Sequence, residues 1–329
     1  MSYTDPTRAQ LSFPSIEPLQ EDSNRPLWSV MIPAYNPRKD FLEQAIKSVL
    51  MQGVNPKKMQ IEVIDDGSTQ CDVEALVAAW GEGRIAYFRQ PHNTGMVGNF
   101  NTCIERARGH WVHIFHDDDL LLPGFYGHLE AATRKPALAG AAFCRHNFIN
   151  QDQHETYRTA LEQKTRGLLQ GWSELIAGSC RIQCCSIVVK RSTYELIGGF
   201  DPAARLSADW EMWVRIAAYF PVWFEPQLLA SYRQHGDSMT SGLMQSAQGI
   251  VDINNVINLY QAYLPADAYQ RCAPKARKYY ALYALSMARR LLRTGELEAA
   301  QNFISEGLKC DNSPAVMQVV ENMTRHLPR

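Results

Sequence analysis

Three consecutive carboxylates, Asp117, Asp118 and Asp119, follow directly on the apolar run 111–115, which only His113 interrupts. Adjacent like charges repel, and a hard divalent cation such as Mg²⁺ or Mn²⁺ relieves that repulsion, held by one or two carboxylates together with substrate phosphates. A second acidic pair, Asp65 and Asp66, follows another apolar run at 61–64 and leads into Gly67 and Ser68. A third carboxylate of interest is Asp209. It opens a helix-like stretch in which Asp209, Trp213, Ile216 and Phe220 share one face, so it stands in the first turn of an inward stripe. Glu211 lies two residues on and off that face. With Arg215 four residues later it has the spacing of a surface ion pair. His235 is a lone histidine in the polar loop 233–238.

These groups need elements to carry them. Residues 28–34 read as a first strand, followed by the turn Tyr35-Asn36-Pro37 and a helix with Phe41, Leu42, Ala45, Ile46, Val49 and Leu50 at helical spacing. Strands are then expected at 61–64, 84–88 and 111–115, and helices at 73–80 and from about Val97 to Ala107. Alternation of this kind predicts an α/β fold with a mostly parallel sheet covered on both faces. In such a sheet the two acidic strand ends, after Ile64 and after Phe115, lie on one edge and can face one ligand. Further on, the sequence predicts a helix to about 135, a strand at 138–144, a polar excursion at 145–165, a helix at 172–177, a strand at 186–190, a tight turn at 198–202 and two short strands at 222–224 and 228–232. From about Leu243 only helices are expected: 250–263, 267–292 with Pro274 kinking or splitting it, 297–308 and 315–325. The stretch from Ala288 to Pro314 resembles one tetratricopeptide-type helix pair, which must pack on neighbours to bury its face. The expected organisation is a flexible arm 1–26, an α/β domain 27–242 and a helical region 243–329.

The chain has 329 residues, 46% of them apolar and 20% charged, with a formal net charge of −1. That balance carries no general attraction to nucleic acid or to an anionic membrane. No run approaches the ~20 apolar residues that span a bilayer. The polar first 25 residues lack the apolar core of a secretory signal. Eight cysteines without metal-ligand spacing, Cys180, Cys184 and Cys185 included, are expected as free thiols of a reducing, cytoplasmic setting.

Taken together, residues 28–240 resemble the inverting, GT-A-fold (Rossmann-like) glycosyltransferases of family 2. Five segments carry the resemblance: Val30-Met31-Ile32-Pro33-Ala34-Tyr35-Asn36; Ile64-Asp65-Asp66-Gly67-Ser68; Asn93-x-Gly95 with Asn101 and Ala107-x-Gly109; His116-Asp117-Asp118-Asp119 with Pro123; and Gly198-Gly199-Phe200-Asp201 followed by Asp209-Trp210. His116 stands where the family often has Asp, and Ala208 where an acidic residue often precedes the base. The resemblance implies a nucleotide-sugar donor, UDP- or dTDP-linked, contacted by Pro33, Tyr35, Asn36, Asp66, Asn93, Gly95, Asn101 and Asp117. It implies Mn²⁺ or Mg²⁺ on Asp118, with Asp119 as the rival ligand and His235 on the diphosphate or metal. Asp209 would be the general base. The acceptor would be a saccharide or lipid-linked saccharide of bacterial surface polysaccharide synthesis, at the cytoplasmic face of the membrane, with peripheral contact only and no nucleic-acid partner. Two other readings are a sugar nucleotidyltransferase and a non-catalytic nucleotide- or glycan-binding protein acting through its helical tail. A dehydrogenase is excluded, because Ile-Pro-Ala-Tyr-Asn replaces the G-x-G-x-x-G turn after strand one.

Overall fold

The computed structural model describes residues 13–20, 22, 24–134, 139–236 and 246–324. The expected arm up to residue 12, the helix end at 135, the strand start at 138, the stretch 237–245 and the last helix end at 325 lie outside the described residues. The backbone forms two compact units. One comprises Met1–Gln170, Ile182–Pro202 and Ile216–Gln234; the other comprises Gly171–Arg181, Ala203–Arg215 and His235–Arg329.

The first unit is built from β1 (Trp28–Ala34), α1 (Lys39–Leu50), β2 (Met59–Asp65), α2 (Val73–Trp80), β3 (Ala86–Arg89), α3 (Gly95–Arg106), β4 (Trp111–Ile114), β5 (Leu120–Leu121), α4 (Phe125–Arg134), β6 (Ala141–Ile149), β7 (Glu155–Arg158), β8 (Gly167–Leu168), β9 (Ile187–Lys190), α6 (Arg191–Ile197) and β10 (Val222–Arg233). The label α5 is kept for Trp172–Gly178 of the second unit. The sheet is mixed and mostly parallel, in the order β3-β2-β1-β4-β9-β6-β10-β5, with β7 on β6 and β8 on β10. The long strands β1, β2, β6 and β10 point one way with β3 and β4, and the short β5, β7, β8 and β9 run against them.

β1 is buried along its whole length, as a β-branched, apolar strand between two neighbours should be. Pro33 is tolerated there for a geometric reason. Met31 O accepts from Phe115 N and Ala34 O accepts from Asp66 N, so position 33 faces the β4 side. The β1–β4 register has already ended at Met31 and Ile114, so no ladder bond is lost to the missing N–H. Leu42, Ala45, Ile46 and Val49 of α1 cover this part of the sheet. The close turn into β4 requires glycine, because a Cβ on Gly109 would lie 2.6 Å from Ser29 N.

Four expectations change. Residues 145–149, read as the start of a polar excursion, continue β6, and β7 folds back on them. The polar side chains mislead because partners satisfy them: Asn147 Nδ2 donates to Glu155 Oε2 at 2.7 Å, and Thr159 Oγ1 donates to His146 O. The two short strands at 222–224 and 228–232 are one strand, β10, which passes Pro226 by shifting register between Glu225 and Leu228. The segment 13–20, expected within a loose arm, is held in place. Ile16 is buried, Gly199 N donates to Pro14 O at 2.8 Å, and the Arg191 guanidinium donates to Glu17 O. The other change concerns Pro274, in the second unit.

That unit holds α5, the first turns of α7 (Ala208–Tyr219), α8 (Gln248–Leu259), α9 (Ala266–Thr294), α10 (Leu297–Cys310) and α11 (Pro314–Thr324). α9 is one helix of 29 residues with Pro274 inside it. Cys272, Ala273 and Ala276, all buried, hold the axis on both sides of the proline, so it does not split the helix. The helix pair resembling a tetratricopeptide unit is α9 with α10. Ala281, Ala284, Leu285 and Ala288 meet Ala300 and Phe303 in a separate apolar core.

Candidate functional site

The first unit gathers most of the expected residues along the carboxyl edge of β1, β2 and β4. The two aspartates that end β2 differ in what they do. Asp65 is fully buried; its Oδ1 accepts from Ser68 N, and its Oδ2 accepts from Tyr87 OH at 2.8 Å and Arg89 Nη1 at 2.7 Å. It shapes the turn. Asp66 accepts from Thr94 N and Thr94 Oγ1, both at 2.8 Å and both through Oδ1, which leaves Oδ2 outside these bonds. The Asp66 loop and the Asn93 loop touch: a Cβ on Gly67, whose φ is +77°, would lie 3.3 Å from Asn93 N.

Asn36 adopts a φ of 48°, a left-handed conformation that Asn tolerates better than most residues. Its Oδ1 accepts from Thr69 N at 2.7 Å and Gln70 N at 2.9 Å, and its own N donates to Ser68 Oγ. These bonds pin the turn after β1 to the loop after β2. Tyr35, just before it, is left 53% exposed beside that loop. Pro33 is buried in β1. Asn93 Oδ1 accepts from Gly95 N, and Gly95 opens α3 with φ +75°. Asn101 lies elsewhere. Its Nδ2 donates to Phe200 O and its Oδ1 accepts from Phe200 N, so its amide clamps the turn Gly198-Gly199-Phe200.

After β4 comes the acidic run. Asp119 is fully buried, and its Oδ1 accepts from Arg233 N at 2.8 Å. Its Oδ2 has no hydrogen-bond partner among the described residues and stands 3.9 Å from His116 Nδ1. Burial, and then the charge of Asp118, push the carboxyls of Asp117 and Asp119 well above the usual range. Burial also lowers the pKa of His116, which keeps its ring neutral, and its Nε2 is buried without a partner. His116 stacks on Phe100 with ring centroids 5.5 Å apart. One ligand atom each from His116, Asp118 and Asp119 lie within 4.8 Å of one another. A neutral imidazole with two carboxylates, two of its atoms orphaned and buried, is a donor set that fits a divalent cation such as Mn²⁺.

Arg233 binds this turn to the end of β10. Its Nε donates to Asp118 O at 2.7 Å, its Nη2 to Gln44 Oε1, and its guanidinium lies over the Phe41 ring. Sequence reasoning placed His116 at the head of the acidic segment without giving it a ligand role, and gave Arg233 no role. The signal for His116 was its place three residues before Asp119, where a turn brings i and i+3 together. Arg233 had no comparable signal, because its partners lie more than 80 residues away.

Asp209 and His235 belong to the second unit. Asp209 is partly buried in the first turn of α7, where its Oδ1 accepts from Trp210 N at 2.6 Å. Burial raises its pKa to about 6, against the lowering effect of that backbone bond. Glu211 overturns the expectation of a solvated pair. Glu211 and Arg215 are both 0% exposed, with Arg215 Nη2 donating to Glu211 Oε2 at 2.8 Å. Tyr263 OH donates to Glu211 Oε1 at 2.9 Å. The i,i+4 spacing reads the same on a buried face as on a wet one; only the helices covering it decide. Trp210 is held between the rings of Tyr260 and Tyr280, and its Nε1 donates to Ile176 O. The eight cysteines stand as thiols, none of them in a disulfide.

The Glycosyl transferase family 2 model matches residues 29–196. Relatives include an uncharacterized glycosyltransferase of Rickettsia typhi, 25% identical over 233 residues, covering 68% of this chain and 69% of the relative. The GalNAc(5)-diNAcBac-PP-undecaprenol beta-1,3-glucosyltransferase of Campylobacter jejuni is 38% identical over 102 residues, covering 30% of this chain and 32% of that enzyme. Among solved structures, S. aureus TarS 1–349 in complex with UDP superposes with a TM-score of 0.59 at 13% identity, covering 90% of this chain and 91% of that one. The mannosyltransferase PcManGT from Pyrobaculum calidifontis, in complex with GDP-Man and Mn2+, gives a TM-score of 0.53 at 17% identity, covering 93% and 89%. These likenesses show the GT-A fold.

Proposed function

The chain belongs to glycosyl transferase family 2 and is a glycosyltransferase, and from that premise we propose that it moves a sugar from a UDP- or dTDP-sugar to a hydroxyl of a saccharide or lipid-linked saccharide, with inversion. The observation that carries this reading is the convergence of His116, Asp118 and Asp119 on one edge of a sheet whose neighbouring loops present Tyr35 and Asp66. A UDP complex of TarS and a Mn2+ complex of PcManGT support the donor and the metal. The name of the Campylobacter relative supports a lipid-linked acceptor, and with it a role in surface polysaccharide synthesis.

In this reading Tyr35 stacks on the nucleoside base and Asp66 Oδ2 accepts from it, while Asp117 accepts from the ribose. His116, Asp118 and Asp119 hold Mn²⁺ or Mg²⁺, which supplies charge neutralisation for the diphosphate. Asp209 takes the proton of the acceptor hydroxyl as its oxygen forms a bond to the anomeric carbon. The bond from that carbon to the diphosphate oxygen breaks in the same step, and the nucleotide leaves with the electron pair. Asn36, Asn93, Gly95 and Asn101 act on the protein side, shaping the loops. His235 meets the diphosphate once the donor is bound.

The test is calorimetric titration of UDP-, dTDP- and GDP-sugars with Mn²⁺ and with chelator, on wild type and Asp118→Ala. Metal-dependent binding of one nucleotide class, lost in the variant, is expected. Absence of binding by every nucleotide in both conditions would sink the proposed donor and metal.

A further inference from the structure

α9 turns two unlike faces to its surroundings. One carries Ala281, Ala284, Leu285, Ala288 and Leu291 into the apolar core of the second unit. On the other, at 3.6 residues per turn, Lys275, Lys278, Tyr279, Leu282, Ser286, Arg289, Arg290 and Arg293 fall within one sector of about 120°. All eight are exposed, Tyr279 at 54% and Leu282 at 37%. The sector contains no carboxylate; the one acidic residue of α9 is Asp267, in its first turn.

Asp267 and Glu174 are both paired with Arg271, which closes off the amino-terminal end. The five cations of the sector have no carboxylate within ion-pair distance among the described residues. Other helices of this chain pair their surface cations: Lys47 with Glu43, Arg134 with Glu130, Lys309 with Glu306. Five unpaired cations on about 27 Å of helix repel one another, and their field reaches about 8–10 Å into solvent at physiological salt. The array runs along one face of a single helix, so it complements a plane of anions. Tyr279 and Leu282, in its middle, add apolar contact at the depth where an aromatic ring and an aliphatic side chain sit among lipid headgroups while Lys and Arg snorkel outward. No helix among the described residues is long and apolar enough to cross a membrane, so α9 would lie along the surface.

We propose that this face of α9 docks the protein on a membrane leaflet rich in anionic phospholipid. The proposal does not rest on the transferase reading. It is tested by flotation of the full chain with vesicles of phosphatidylcholine, alone or with about 30 mol % phosphatidylglycerol, at about 0.1 M and 0.5 M NaCl. Binding is expected only to the anionic vesicles and only at low salt. Each surface cation contributes roughly five-fold to partitioning, so Arg289→Gln/Arg290→Gln/Arg293→Gln should bind about 100-fold more weakly. Tyr279→Ser/Leu282→Ser should weaken binding but keep the salt dependence. Lys57→Gln/Lys58→Gln, on an exposed turn of the first unit, should bind as wild type. Thermal melts check that each variant is folded, and the wild-type salt series tests the proposal even where a variant is not. Flotation equal with neutral vesicles, an unchanged triple variant, or tight binding to a nucleic-acid duplex without flotation would overturn it, the last assigning the stripe to nucleic acid.

Discussion

Asp209 shows how burial sets the chemistry of one group. Its pKa is raised from 3.8 to about 6, so the carboxylate still predominates at neutral pH and is a stronger base than an exposed aspartate. If it is the base, kcat/KM should climb with pH, with a midpoint near 6, and level off above it; a flat profile between pH 5 and 7 would assign the proton elsewhere. Asp209→Asn should keep donor affinity and lose roughly 10²–10⁴-fold in rate. The linkage sign is the reverse of a salt-bridged aspartate. The fold holds this proton more tightly than the unfolded chain does, so its stability contribution is present below pH 3.8 and is lost as pH rises through about 6. Two residues on, Glu211→Ala would leave Arg215 charged and buried without its carboxylate, at a cost of about 3–5 kcal/mol. A denaturant melt within 1 kcal/mol of wild type would show that water replaces the lost partner.

Among the elements, the turn after β1 is tied by its side chain to the loop after β2. Asn36 needs a positive φ and spends its side chain on Thr69 N and Gln70 N. Asn36→Gly keeps the conformation and loses those bonds, whereas Asn36→Ala loses both. Glycine should therefore cost less stability than alanine, by about 1 kcal/mol, while both weaken nucleotide binding. Calorimetry on the pair separates the two effects; equal melting points would mean that the turn relaxes. The turn after α6 is tighter still. A Cβ on Gly199 would lie 2.4 Å from Asn101 Oδ1. Gly199→Ala should displace the amide that clamps Phe200 and cost about 1–3 kcal/mol, read from the melting temperature.

At the scale of the whole molecule, the chain crosses between its units more than once. The second unit takes Gly171–Arg181 and Ala203–Arg215 as well as the carboxyl-terminal helices. A chain cut at residue 242 would strip Trp210 of Tyr260 and Tyr280 and Glu211 of Tyr263. The truncated protein 1–242 should aggregate or lose the helix that carries Asp209. A soluble fragment with full transfer activity would show that the α/β domain stands alone. The net charge of −1 is likewise an average: it conceals a helix face on which every charge has the same sign.

The alternation of strands and helices as far as β4 and the all-helical end were legible in the sequence, because periodicity and the punctuation by Gly and Pro are local properties, whereas the short β5, β7 and β8 and the helix α6 were not expected. The placing of carboxylates at the ends of β2 and β4 was legible too, since a strand end is where the apolar run stops. The family resemblance followed from the order of those segments. What each polar residue does was decided only in three dimensions. Asp65 and Asp66 are neighbours of the same type, yet Tyr87 and Arg89 occupy one and Thr94 orients the other. Asn101 turns to Phe200, His116 joins two aspartates, Glu211 is sealed under Tyr263, and β6 carries polar side chains through the middle of a sheet. Each of these outcomes depends on which atoms arrive from distant parts of the chain and on whether water is excluded there, and a local pattern encodes neither.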